Sequence, residues 1–220
     1  MLLFEGPNWP KKLSDSILHQ IRDVLSKYEY CNVVITGGRS VVKLYEVLAG
    51  EKAFKKLSKV NYYLSDERCV LDSDPECNYS LIMNTLFCDG IPSGCTLNRI
   101  KTDLMNPEAA AQEYEDRLPK KIDILLISMG EDGHVASIFP ENLSLLKESC
   151  RRVAAVWGPK YPYQRITITP SVIMGASKIF VLAVGPKKSK ALQRIRYGFY
   201  ENNALPASLA VSGVWFTDVG

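Results

Sequence analysis

"IDILLISMGEDGHVASIFP", residues 122–140, is the stretch whose reading decides the fold. Its first part, Ile122 to Ser128, is an almost unbroken aliphatic run; its second part breaks into glycine, acid and His134. A short apolar run without alternation is the pattern of a strand covered on both faces, as in a parallel sheet packed between helices. Three more runs share it: "CNVVIT" (31–36), "VNYYLS" (60–65) and "KIFVLAV" (178–184). "RITITP" (165–170) alternates and reads as a further strand. Between the runs lie helical patterns. Leu13 to Lys27 places Leu13, Ile17, Ile21, Val24 and Leu25 on one stripe. Val41 to Leu48, Pro107 to Leu118 (with Pro107 in its first turn) and Lys188 to Ile195 are the others. Strands alternating with helices predict an open α/β layered sheet. The densest turn regions, 72–79 and 88–99, read as a surface excursion, and no linker divides the chain, so residues 1–220 are expected to form one domain.

Composition narrows the functions. With 220 residues, 46% of them hydrophobic, the chain can bury one substantial core. Its 27 basic and 24 acidic residues balance to +3, which argues against a nucleic-acid-binding surface or a polybasic membrane patch. A local basic pocket for a small anion remains. The six cysteines (31, 69, 77, 88, 95 and 150) form no C-x-x-C pair and no zinc-like spacing, and read as incidental thiols. No leader pattern opens the chain and no apolar run nears the roughly 18 residues of a membrane span, so a cytoplasmic protein is expected.

In open α/β sheets ligands bind beyond the carboxyl ends of the strands. There the sequence supplies Gly37-Gly38-Arg39-Ser40, Asp66-Glu67-Arg68, Met129-Gly130-Glu131-Asp132-Gly133-His134 and Gly185-Pro186-Lys187-Lys188. Glycines at the start of a helix let backbone N–H groups approach an anion. Gly37-Gly38-Arg39-Ser40 is neither a Walker A loop nor G-x-G-x-x-G, so it indicates phosphate or carboxylate and not a nucleotide, unless it is a plain tight turn. Lys188 is a point charge suited to phosphate, and Arg68 is a bidentate donor beside two carboxylates. Of the two histidines, His19 falls on the first helix and reads as a surface residue; His134, beyond a buried strand and beside Asp132, is the candidate general base. A histidine-built metal site lacks ligands, and no G-x-S-x-G elbow exists for a serine nucleophile.

Quoted together, "DILLISMGEDGHVASIFP", "GGRS…LY", "SDERCV…CNY", "RITIT", "VGPKKSKAL" and "LPASLAVSGVWFTD" resemble the 6-phosphogluconolactonases, in that family's order. The resemblance implies a Rossmann-like three-layer α/β sandwich with a mostly parallel sheet. It implies hydrolysis of 6-phosphoglucono-δ-lactone to 6-phosphogluconate in the pentose phosphate pathway, without metal or organic cofactor, by a monomer or homodimer. The related glucosamine-6-phosphate deaminase/isomerases share the D-G-H loop but carry a glutamate where this chain has Phe139, which cannot move a proton. "SDER" stands for the usual W-G-D-E-R, and "ECNY" for S-N-Y. On this reading His134 activates water, with Asp132 or Asp66 orienting its ring. The oxyanion is met by the Gly37-Gly38 or the Gly130–Gly133 turn. Arg39, Ser40, Arg68, Arg165 and Lys188 hold the phosphate. The alternatives are a deaminase/isomerase or a non-catalytic sugar-phosphate-binding protein.

Overall fold

The computed structural model describes residues 1–102, 106–147, 150–199 and 205–218. Seven strands form one parallel sheet: β1 (Leu2–Glu5), β2 (Cys31–Ile35), β3 (Val60–Leu64), β5 (Thr96–Asn98), β6 (Ile124–Ser128), β9 (Lys178–Leu182) and β10 (Val214–Thr217), in the order β1-β10-β9-β6-β2-β3-β5. The four aliphatic runs are β2, β3, β6 and β9, adjacent within the sheet, and β6 is wholly buried except at Ser128. Burial on both faces explains why their sequences do not alternate. The chain runs outward from β2 through β3 to β5. It then returns to the other side of β2 with β6 and runs outward again through β9 to β10. Strand order therefore reverses between β2 and β6, and a crevice opens beyond their carboxyl ends.

The helices follow the apolar stripes. Helix α1 (Trp9–Leu25) buries Leu13, Ile17, Ile21 and Val24 against β2, β6 and β10, and packs beside α2 (Val42–Gly50). Its start lies earlier than the stripe indicates because Trp9 is buried and Pro10 suits a first turn. Helix α5 (Pro107–Arg117) is capped by Asn106, whose side chain accepts from the Ala109 amide. It buries Tyr114, whose hydroxyl joins the Leu64 main chain at the end of β3. The last long helix, α8 (Ser189–Arg196), buries Ala191, Leu192 and Ile195.

Two parts of the architecture differ from expectation. "RITIT" does not join the parallel sheet. It is β8 (Gln164–Ile168) of a separate three-stranded antiparallel sheet, between β4 (Asp66–Arg68) and β7 (Val153–Trp157). One residue, Ser65, separates β3 from β4. Its amide still donates to Ile35 of the large sheet, while its carbonyl accepts from Ile168 of the small one. Asp66, Glu67 and Arg68 are thus held by strand pairing and not in a free loop. The turn-rich stretches 72–79 and 88–99 are not a pure excursion either. They flank α4 (Asn78–Thr85) and contain β5, an edge strand of the large sheet. Cys31, Cys69, Cys77, Cys88 and Cys95 are free thiols.

Candidate active site

Beyond β6 the chain does not enter a helix. Met129 and Val135 pair across a tight turn in which the Gly130 amide donates to the His134 carbonyl at 2.8 Å and the Gly133 amide donates to the Gly130 carbonyl at 3.2 Å. The turn folds the His134 ring back over Gly130. A Cβ at residue 130 would lie 2.1 Å from the imidazole Cε1, so only glycine fits beneath it. On its other side the ring packs against Phe139, with centroids 4.8 Å apart. Gly133, with φ of 84°, sits behind the turn against Leu205 and does not border the cleft.

Asp132, not Asp66, holds the imidazole. His134 Nδ1 lies 2.5 Å from Asp132 Oδ1, and the same oxygen accepts the His134 amide at 3.1 Å. An ionised carboxylate only accepts, so Nδ1 carries the proton and the Nε2 lone pair is free. Partial burial pushes the Asp132 carboxyl upward, but the hydrogen bonds and the charge of His134 outweigh it and hold the acid at about 2. Asp66 has other partners: the hydroxyls of Ser65 at 2.9 Å and Ser137 at 2.8 Å.

The two glycine turns start helices in the same way. Gly38 (φ 87°) and Gly185 (φ 106°) are each followed by a single 3-10 turn and then by α2 or α8. Their donors differ. The Gly185 amide is spent on Asp218 Oδ1 at 2.7 Å. Among the described residues, the amides of Gly37 and Gly38 have no acceptor. From the second turn Lys188 reaches inward, only 8% exposed. Its ammonium donates to Ser40 Oγ at 2.7 Å and Ser128 Oγ at 3.3 Å and, among the described residues, meets no carboxylate directly. Burial lowers its pKa to about 8, against smaller opposing contributions from Asp218 and Glu131.

A cleft of about 350 Å³ joins these groups. Of the sequence-predicted residues, Gly37, Gly38, Arg39, Ser40, Asp66, Arg68, Gly130, His134, Arg165 and Lys188 line it; Asp132 stands behind His134. Five cationic side chains face it (Arg39, Arg68, Lys160, Arg165 and Lys188) against the carboxylates of Asp66 and Glu131, a balance that selects an anionic ligand. Sequence reasoning missed Asn78 and Lys160. Asn78 is 2% exposed; its Nδ2 donates to the Asp66 carbonyl at 2.9 Å, which fixes the amide orientation. Its Oδ1 packs against Gly37, and a Cβ there would lie 1.9 Å away. Glu67 is completely buried and anchors this corner by accepting the amides of Arg68, Asn78 and Tyr79 at 2.7–2.8 Å. Burial raises its carboxyl to about 7, against those hydrogen bonds. Asn78 Oδ1 and Arg68 Nε are buried without a hydrogen-bond partner among the described residues, although both residues border the cleft.

The family model described as glucosamine-6-phosphate isomerases/6-phosphogluconolactonase matches residues 8–215. The chain belongs to that family. Within the glucosamine-6-phosphate isomerase/6-phosphogluconolactonase family it is 31% identical over 213 residues to 6-phosphogluconolactonase 3 of Saccharomyces cerevisiae, covering 90% of this chain and 84% of the relative. It is 30% identical over 178 residues to a 6-phosphogluconolactonase of Pseudomonas aeruginosa, covering 78% and 74%. The crystal structure of a 6-phosphogluconolactonase from Thermotoga maritima superposes with a TM-score of 0.85 at 27% identity, over 99% of both chains. That structure thus shares the fold of this chain.

Proposed function

We propose that this chain hydrolyses 6-phosphoglucono-δ-lactone to 6-phosphogluconate, with His134 as general base. The observation that carries this reading is the Asp132–His134 pair, 2.5 Å apart, on the wall of a cleft whose charged side chains are mostly cationic. The named relatives support the same reaction.

In the proposed reaction His134 Nε2 takes a proton from water as its oxygen attacks the lactone C1. The carbonyl oxygen becomes the oxyanion of a tetrahedral intermediate. Collapse breaks the bond from C1 to the ring oxygen, and the imidazolium returns its proton to that oxygen, leaving a carboxyl group at C1 and a hydroxyl at C5. Ionised Asp132 stabilises the imidazolium and keeps Nδ1 protonated. General acid–base help of this kind contributes about 10²–10⁴-fold, which suits an activated ester. Free amides favour the Gly37-Gly38 turn as oxyanion donor over the Gly130–Gly133 turn, whose glycine amides close their own loop. Lys188 with Ser40 is the strongest candidate for the phosphate, since among the described residues the ammonium lacks a counter-ion. Arg68 is partly committed, donating through Nη1 to the Glu76 main chain and carboxylate. Arg39, exposed at the mouth of the cleft, is a supporting charge.

Phe139, where the isomerase branch carries a glutamate, packs against both His134 and Arg165 and supplies no proton. The test is a paired assay of the wild type: loss of 6-phosphoglucono-δ-lactone generated in situ, and ammonia release from glucosamine 6-phosphate. Lactone loss above background without ammonia is expected. Ammonia release would move the chain to the isomerase branch, and binding of 6-phosphogluconate without turnover would make it a sugar-phosphate-binding protein.

A further inference from the structure

The turn between β7 and β8, residues 158–163, leans on the cleft. Lys160 lines the opening, and among the described residues its ammonium has neither a hydrogen bond nor an ion pair. The turn that carries it is held from both sides. On the inner side buried Arg165 donates through Nε to the Pro162 carbonyl at 2.9 Å and through Nη2 to the Lys160 carbonyl at 3.4 Å. The guanidinium carbon of Arg165 stands 5.3 Å from the centre of Phe139, the ring that also backs His134. Gly158 fits so closely between them that a Cβ would come within 3.1 Å of both Arg165 Nε and the Phe139 ring. On the outer side Trp157 stacks on Tyr163 at 5.9 Å with the rings 8° apart, and the Gly158 amide closes the loop on the Tyr163 carbonyl at 2.7 Å.

A lysine whose ammonium has no partner among the described residues, carried on a turn fixed by a buried guanidinium and an aromatic stack, places a cation at the mouth of an anion-selective cleft. We infer that Lys160 is a substrate-binding residue that contacts the phosphate of the sugar lactone, and that Arg165 is its positioning residue, spending donors on the carbonyls of the turn. The inference deepens the lactonase reading and rests on it. It also separates two arginines that the sequence treats alike. Arg68 and Arg165 are register partners across β4 and β8, yet only Arg165 is tied to this turn.

The experiment compares wild type, Lys160→Met, Lys160→Arg, Arg165→Met and the Lys160→Met/Arg165→Met double variant. Each is assayed on 6-phosphoglucono-δ-lactone and on unphosphorylated glucono-δ-lactone, and titrated with 6-phosphogluconate by calorimetry. For a partly exposed charge-assisted contact, Lys160→Met should raise KM for the phosphorylated lactone and weaken 6-phosphogluconate binding by roughly 3- to 10-fold. Its kcat should stay within about twofold. Lys160→Arg should restore most of the affinity, and kinetics on the unphosphorylated lactone should change much less than those on the phosphorylated one. If Arg165 works through Lys160, the double variant should bind no more weakly than Arg165→Met. Unchanged affinity in Lys160→Met, or an equal change on both lactones, would overturn the assignment; additive losses would overturn the positioning role. A wild type inactive on both lactones would sink the lactonase reading alone. Lys160 would then be judged by the 6-phosphogluconate titration, and a wild type with no affinity for that ligand would overturn both.

Discussion

Two kinds of turn meet at the cleft, and they present chemistry in opposite ways. The Met129–His134 turn delivers a side chain, and every neighbour of that side chain is closely packed: glycine beneath the ring, Phe139 beside it, a carboxylate on Nδ1. The Gly38 and Gly185 turns deliver helix starts, and the added Cβ at either glycine would meet nothing within 4 Å. A base must be aimed at one atom, so its setting tolerates no extra methyl group. An anion can be held by amides and a point charge over a wider range of positions. Changes to the first turn should therefore appear in kcat, and changes at the Gly185–Lys188 turn in KM and ligand affinity.

The sharpest way to break that contrast is at the base itself. His134→Ala should lower kcat by about 10²–10⁴-fold while leaving 6-phosphogluconate affinity within a few-fold, measured by single-turnover kinetics and calorimetry. An equal loss of affinity would mean that the histidine chiefly binds. Next is Gly130→Ala, which adds one methyl group where the imidazole lies. It should cost about 10²-fold in kcat, because a displacement near 1 Å at a reacting group has that order of effect. Circular dichroism should show the fold retained.

Lys188 tests the other side of the contrast. Its pKa stands below that of a free lysine, so the ammonium is lost as pH rises through about 8. The affinity for 6-phosphogluconate should fall above that pH, and Lys188→Arg should move the fall to higher pH. The same sign gives a stability effect. Burying the ammonium disfavours folding below pH 8, and the cost fades toward the unfolded pKa. Lys188→Met should therefore melt at a higher temperature than wild type at pH 7 while binding 6-phosphogluconate at least 10-fold more weakly. The last is Gly38→Ala. The position is uncrowded, but its φ of 87° with ψ of 162° lies in a region essentially confined to glycine, so the substitution should cost about 1–3 kcal/mol in denaturant unfolding.

How far this was legible in the sequence follows from how locally each feature is encoded. The four buried strands could be read because burial on both faces leaves an uninterrupted aliphatic run, and the turns after them carry the glycines and charges. The small sheet could not be read so. Asp66–Arg68 is three polar residues made into a strand only by pairing with β8 far along the chain. Edge strands such as Thr96–Asn98 are too short to show a period. Asp66 and Asp132 looked equivalent as partners for His134; proximity in sequence favours Asp132, and the tight turn realises that contact. Asn78 and Lys160 reach the cleft only through tertiary contacts. The available hint for Lys160 was a Pro/Tyr-rich turn just before "RITIT", and for Asn78 a helix start after a turn cluster.

A histidine held by Asp132 is proposed to perform base catalysis on a phosphorylated lactone. The direct measurement follows the loss of 6-phosphoglucono-δ-lactone, generated in situ at slightly acidic pH where background hydrolysis is slow, with wild type beside His134→Ala. Acceleration by wild type that falls by at least about 10²-fold in the variant is the predicted result. Equal acceleration by both proteins would contradict it.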